Sequence, residues 1–326
     1  MEKLENIFEQ ELINIRNDSN ILELLLKDNT SKHNLIWATD LYRKKGFAYY
    51  FNNEIYPENI YTKKGCLIKP RANKSKREQN IRIKERAEVF TPSWLCNRQN
   101  NLIDEAWLDK KFPFNYEVSG NKWESSKEKV KFENKGTWED YVSANRLEVA
   151  CGEAPYIVSR YDSVTGVYIE PMNRIGILDR KLRVICENTI DKAEWEKYAE
   201  IAYKSVYGYD WQGDNVFLAR INMLFTFSDY YEYKFKIKPS GPTLKKIATI
   251  LSWNIWQMDG TKLVVPKSCK REKLIQITLF GDEVTYKKCA GCKENSIYKH
   301  NGLYCKILNW EINKPVKFLS IVKKGK

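Results

Sequence analysis

No apolar run in this chain approaches the roughly 20 residues that a membrane-spanning helix needs, so the sequence predicts no such helix. The amino terminus, Met1-Glu2-Lys3-Leu4-Glu5-Asn6, is charged and amphipathic and reads against a secretory signal. Histidine is nearly absent, with two in 326 residues, so each one weighs more as a candidate ligand. Cysteine lacks the patterning of a disulfide framework. The eight lie at 66, 96, 151, 186, 269, 289, 292 and 305, and five stand singly in apolar or mixed sequence. That spread points to a reducing compartment, and the expected location is cytoplasmic.

What is present is a folded, basic protein. Hydrophobic residues make up 43% and aromatics 13%, which excludes a disordered chain. The formal net charge is +13 and the sequence pI about 9.1, so nucleic acid is a natural partner; a lysine-rich solvated surface is the plainer alternative. The basic residues are densest over 71–86, where Arg71, Lys74, Lys76, Arg77, Arg82, Lys84 and Arg86 face only Glu78 and Glu85. As a loop this run would track a phosphate backbone, and otherwise it is a linker.

Periodicity organises the chain. Ile7, Leu12, Ile15, Ile21, Leu22, Leu25 and Leu26 predict two helices broken near Asn17-Asp18-Ser19-Asn20. The aromatic stretch 35–70 predicts a helix and short strands, and residues 1–70 together read as a helical cap. Thr91-Pro92-Ser93 predicts a helix start near Trp94, capped by Thr91 or Ser93 and suited to an anion. Residues 104–140 predict a helix, a loop and a second helical turn. Trp195, Tyr198, Ala199, Ala202 and Val206 form one apolar stripe over 192–206, the clearest helix. Further helices are predicted after Asp214-Asn215 and around Leu244–Leu251, with a strand over 252–260. Alternation of helix and strand from 138 to 260 predicts an α/β domain with at least three parallel strands.

Arg146-Leu147-Glu148-Val149-Ala150-Cys151-Gly152 reads as a strand and a glycine turn, and Val206–Asp210 as a strand ending in an acid. Such a turn and acid, at the carboxyl ends of parallel strands, are where an adenosine-bearing cofactor is held. Here the acid follows Glu148 by 62 positions, which requires a long insertion relative to the usual spacing of about 20.

Taken together, Phe90-Thr91-Pro92, Glu148-Val149-Ala150-Cys151-Gly152, Tyr207–Asp210 with Phe217–Leu224, and Asn254 through Asp259 resemble, in order, the cofactor motifs of S-adenosylmethionine-dependent adenine-N6 DNA methyltransferases of restriction–modification systems. The resemblance spans about residues 85–262 and implies a Rossmann-like methyltransferase core. It implies that Phe90, Thr91, Pro92, Glu148, Cys151, Gly152, Asp210 and Asp259 bind S-adenosylmethionine. The chain departs from the family in two places. Glu153-Ala154-Pro155 replaces the second turn glycine, and no Asn-Pro-Pro-Tyr is present to hold a flipped adenine. The resemblance therefore implies a cofactor-binding half with no catalytic residues of its own: a split subunit working on DNA with a second polypeptide that carries the catalytic motif and target recognition, a truncated gene product, or a derived protein that no longer methylates.

Residues 263–326 form a small basic module. Cys289-Ala290-Gly291-Cys292 followed by His300 and Cys305 has the spacing of a structural zinc site, with Cys269 able to replace His300. The expected organisation is thus a cap at 1–70, a cofactor-binding domain at 71–262 and this module. The expected function is a component of a DNA adenine methyltransferase. The alternatives are a non-catalytic DNA-binding or regulatory protein on the same fold, or an unrelated nucleotide-binding α/β protein.

Overall fold

The computed structural model describes residues 4–16, 19–62, 65–89, 91–132, 136–278 and 281–324. The chain is mixed α/β. It opens with helices α1 (Leu4–Arg16) and α2 (Ser19–Leu26), a single turn α3 (Pro57–Ile60) and a minimal hairpin, β1 (Tyr61–Thr62) with β2 (Gly65–Cys66). Of the expected break between the first two helices, Asn17 and Asp18 lie outside the described residues. Helices α4 (Lys76–Arg86) and α5 (Ser93–Leu108) follow, then hairpin β3 (Asn115–Val118) and β4 (Lys122–Ser125), and α6 (Trp138–Ser143).

The centre is a three-stranded parallel sheet of β5 (Arg146–Val149), β6 (Val206–Asp210) and β7 (Ile255–Gln257), in that spatial order. Between β5 and β6 run α7 (Ile177–Asn188) and α8 (Lys192–Lys204); between β6 and β7 run α9 (Gly213–Phe235) and α10 (Gly241–Asn254). The last part holds a long hairpin, β8 (Glu272–Thr278) and β9 (Gly281–Lys287), then α11 (Ala290–Glu294), the pair β10 (Lys306–Asn309) and β11 (Lys314–Lys317), and α12 (Phe318–Lys324). Among the described residues no helix is long and apolar enough to cross a membrane, and all eight cysteines are free.

Local chemistry sets these boundaries. Asp191 accepts the Glu194 N–H at 2.9 Å and starts α8; Ser240 accepts the Thr243 N–H at 3.3 Å, with Pro242 in the first turn of α10. Gly208 in β6 sits where an added Cβ would meet Cys151 Sγ and Ile255 Cδ1, each at 3.2 Å, so the β5 turn can settle against the sheet. Helix α9 is buried along most of its length, and its Arg220 is spent on backbone. The guanidinium donates to the carbonyls of Leu25, Lys27, Ser252 and Ile255, fastening α2 to the sheet. Burial lowers its pKa to about 10. Phe8, Leu12, Leu25, Trp37, Ile55 and Ile68 thus share one apolar core with residues of β6, α9 and α10.

Three expectations fail, each for a visible reason, and one helix was not foreseen. The basic run 71–86 is helix, not loop: Ser75 and Glu78 make a reciprocal cap, with N–H donations of 3.3 and 2.9 Å. Residues 104–140 contain hairpin β3–β4, whose alternation is masked by its charged faces. Helix α7 answers to no expected element. The strand over 252–260 shrinks to Ile255–Gln257, because Ser252–Asn254 finish α10 and Asn254 donates to the carbonyls of Tyr203, Lys204 and Val206.

Candidate functional site

A cleft of about 660 Å³ opens at the carboxyl ends of β5 and β6. Its walls come from Ala87, Glu88, Val89 and Thr91 and from α5 on one side. The other walls are the β5 turn, Tyr156, the start of α7 and the Asp210–Asn215 link into α9. This is where parallel strands leave their backbone ends and side chains free for a ligand.

The turn after β5 is built as the glycine spacing suggests. Gly152 has φ 53° and donates its N–H to Asp210 Oδ2 at 3.0 Å, tying the two strand ends together. Ala154 holds φ 64°, a left-handed backbone that glycine takes without strain, and its N–H reaches the Cys151 carbonyl at 2.7 Å. Glu153 turns inward and accepts from Arg71 N at 2.5 Å and Tyr161 Oη at 2.8 Å. The missing second glycine is therefore a change of residue without a change of backbone hand.

Of the residues expected to bind cofactor, Thr91, Glu148, Cys151, Gly152 and Asp210 all line the cleft. Burial pushes the Asp210 carboxyl up to about 6, against the N–H groups of Gln212 and Gly152 that hold it down. Glu148 is raised well above the carboxylate range by burial and by the nearby Asp210 charge, opposed by the Tyr156 and Ile157 N–H groups. Cys151 is fully covered, and burial raises its thiol. Phe90 lies outside the described residues.

Two expected residues do not line the cleft. Pro92 is the residue before α5, with Thr91 taking the wall. Asp259 closes its own turn instead, its Oδ1 accepting from Thr261 N at 3.1 Å and Thr261 Oγ1 at 2.7 Å while Oδ2 pairs with Lys262 at 2.9 Å. Neither Thr91 nor Ser93 caps α5. The Ser93 N–H donates to Asp162 Oδ2 at 2.8 Å, so a carboxylate of the chain itself takes the helix N-terminus.

The residues that sequence reasoning missed are Glu88, Asn100, Gln212 and Asn215. One signal was available: Asn97, Asn100, Asn101 and Asp104 recur at helical spacing and are all buried. That polar stripe receives the Arg180 guanidinium, which donates to Asp104, Asn97 and Asn101 at 2.6, 2.8 and 2.6 Å.

The cleft is rich in acceptors. Five residues lining it each carry a buried oxygen with no hydrogen-bond partner in the protein: Glu88 Oε1, Asn100 Oδ1, Glu148 Oε2, Gln212 Oε1 and Asn215 Oδ1. None of the described lining residues is Lys or Arg. Buried acceptors cost free energy until a donor meets them. The arrangement suits a ligand that brings N–H and O–H groups or positive charge, and disfavours one that brings phosphates.

A second group of side chains lies in the C-terminal module. Cys269, Cys289, Cys292 and His300 bring their ligand atoms within 4.8 Å of one another. His300 Nδ1 lies 3.5 Å from Cys269 Sγ and 3.7 Å from both Cys289 and Cys292 Sγ. Burial raises the Cys289 thiol, but N–H groups of Asn301 and Cys292 and the His300 ring outweigh it and hold Cys289 down to about 6. The expected fourth ligand is corrected: Cys305 is fully buried in a separate apolar cluster with Trp256 and Phe318, its Sγ against the Gln257 carbonyl at 3.4 Å. Cys269 stands in the group in its place, with His300 retained.

Comparisons with family models, with curated proteins and with solved structures give no match to this chain.

Proposed function

We propose that the chain is the S-adenosylmethionine-binding component of a DNA adenine-N6 methyltransferase of restriction–modification type. In this reading, the β5–β6–β7 sheet and its helices are the cofactor half of a Rossmann-like methyltransferase core. The observation that carries the reading is the acceptor-lined, lysine- and arginine-free cleft at the strand ends. S-adenosylmethionine brings an ammonium, a sulfonium, two ribose hydroxyls and an exocyclic amine, which answer the cleft's acceptors, with one carboxylate and no phosphate. When bound it would supply the methyl group.

The chain's own part is to bind and orient. Asp210 and Glu148, at the ends of adjacent strands, would take hydroxyl or ammonium donors, and the Gly152 turn leaves room for close approach. Adenine recognition and target choice fall to a second polypeptide. The edge of β5 away from β6 is unpaired among the described residues, with Leu147 and Val149 exposed, and it gives such a partner a place to add. DNA is the proposed substrate of the assembly, in keeping with the basic charge.

The Cys269–Cys289–Cys292–His300 group is proposed to hold structural zinc. A tetrahedral site with Zn–S of about 2.3 Å and Zn–N of about 2.0 Å has S···N edges of roughly 3.6 Å, against the 3.5 to 3.7 Å found. Cys269 precedes hairpin β8–β9 and Cys289 follows it, so the ion would pin the base of a hairpin too small to stand alone.

The test is calorimetric titration of the chain with S-adenosylmethionine beside an Asp210→Ala variant. Saturable binding that the variant loses is the expected result. An absence of binding up to millimolar cofactor overturns the cofactor-site reading and favours a DNA-binding or regulatory protein without methyl transfer.

A further inference from the structure

A second cleft, of about 420 Å³, has the opposite chemistry. Tyr42, Lys45, Lys69, Asn73, Lys74 and Arg82 are among its lining residues, and the first residue before α4, Ser75, borders it. Two of these residues carry buried donors with no hydrogen-bond partner in the protein, Lys74 Nζ and Asn73 Nδ2. The Lys74 side chain is 6% exposed. Its nearest carboxylate oxygen, Glu153 Oε1, is 3.8 Å away and already accepts the Arg71 N–H at 2.5 Å. Arg82 is committed elsewhere: it donates to Asp214, to Glu88 at 2.8 Å and to Tyr42 Oη at 2.7 Å. Glu78 also lines the cleft, but its Oε2 is held by the Ser75 N–H and Oγ at 2.9 and 2.8 Å.

A buried ammonium without a hydrogen-bonded partner is costly. Beside it lie a free amide donor, exposed Lys45 and the amino-terminal end of an 11-residue helix, all favouring negative charge. We propose that this cleft is an anion site that takes a phosphate group, separate from the cofactor cleft. The shared chemistry is a phosphate oxyanion, whether from a DNA backbone or from free phosphate. Burial, and then the Arg82 charge, lower the Lys74 pKa, while Glu153 opposes them. A bound anion reverses that balance, so binding at alkaline pH takes up a proton.

The test is titration of the full chain with inorganic phosphate at alkaline pH, where phosphate is already the dianion, in two buffers of different ionisation heat, repeated for Lys74→Met and Lys45→Glu. Saturable binding with a buffer-dependent heat is expected. Each variant should weaken it by about tenfold or more, and Lys74→Met should lose the buffer dependence. Lys45 is exposed, so its variant keeps the test decisive if Lys74→Met does not fold. A short DNA duplex that displaces phosphate identifies the backbone as the source, and one that does not identifies free phosphate; either accords with the site. Unsaturable heats, or affinity unchanged in both variants, overturn it. S-adenosylmethionine titration of Lys45→Glu is expected to match the parent, so the two sites succeed or fail separately.

Discussion

The two clefts share a wall and differ in sign. On one side the leftover groups are oxygens of Glu88, Asn100, Glu148, Gln212 and Asn215; on the other they are nitrogens of Lys74 and Asn73. Between them runs one ion network. Arg82 bridges Asp214 and Glu88, Tyr42 donates to Asp214 at 2.8 Å, and Gln212 donates to Glu88 at 2.9 Å. Arg82 uses up Glu88 Oε2 and leaves Oε1 for the first cleft. The same guanidinium works against the positive charge of Lys74 in the second, lowering its pKa. A site's preference can therefore be set by which member of a buried network is left without a partner, more than by the number of charges nearby.

Breaking the shared wall should have the largest effect. Arg82→Met leaves Asp214 and Glu88 buried without their cation, and is expected to cost about 3–5 kcal/mol of stability, read by chemical denaturation. An equal midpoint for variant and parent would mean that the network does not divide the clefts. Next in size is Asp210→Asn, expected to weaken S-adenosylmethionine by about 10- to 100-fold, the worth of roughly 1.5–3 kcal/mol for hydrogen bonds to a charged group. Phosphate binding should not change, and a loss of both ligands would merge what is here kept apart.

The pH dependence sharpens the contrast. Asp210, raised to about 6, is protonated below that pH. Cofactor affinity should fall as pH drops through 6, by up to about tenfold per unit. Lys74 is lowered from the usual lysine range by burial and the Arg82 charge, so it loses its proton earlier than other lysines as pH rises. Affinity for sulfate, whose charge is constant over this range, should fall on the alkaline side. Parallel pH profiles for the two ligands would contradict the assignment. The smallest effect concerns the module: Cys289→Ser should abolish bound zinc and Cys305→Ser should keep it, by metal analysis, with neither cleft's affinity altered.

Much of this frame was legible in the sequence. The parallel strands and the helices over 192–206 and after Asp214 carry their own periodicity, and Gly152 and Asp210 were found because a turn glycine and a strand-end acid are local signals. The basic run 71–86 misled because counting charges does not say which of them fold inward. Lys74 and Arg82 are among the most deeply covered residues there, through contacts with Glu153 and Asp214 far along the chain. Asp162 at the start of α5 was hidden for the same reason: its partner is distant in sequence and only the fold brings it near. Cys269 was in view as a substitute for His300, but it stands in place of Cys305. Asp259 was misplaced because Asn254 ends α10 late and shortens β7 to three residues.

The unpaired edge of β5 bears on how the protein behaves in a tube. Strands in parallel sheets are usually covered, whereas here Leu147 and Val149 are 44% and 62% exposed. Two copies meeting edge to edge would be held off by a common charge of +13 each. The reach of that repulsion shrinks from about 30 Å at 0.01 M salt to about 10 Å at 0.1 M. Colloidal stability is therefore governed by ionic strength in the sense opposite to salting-in: dilute buffer keeps the chains dispersed, and added salt lets them cluster.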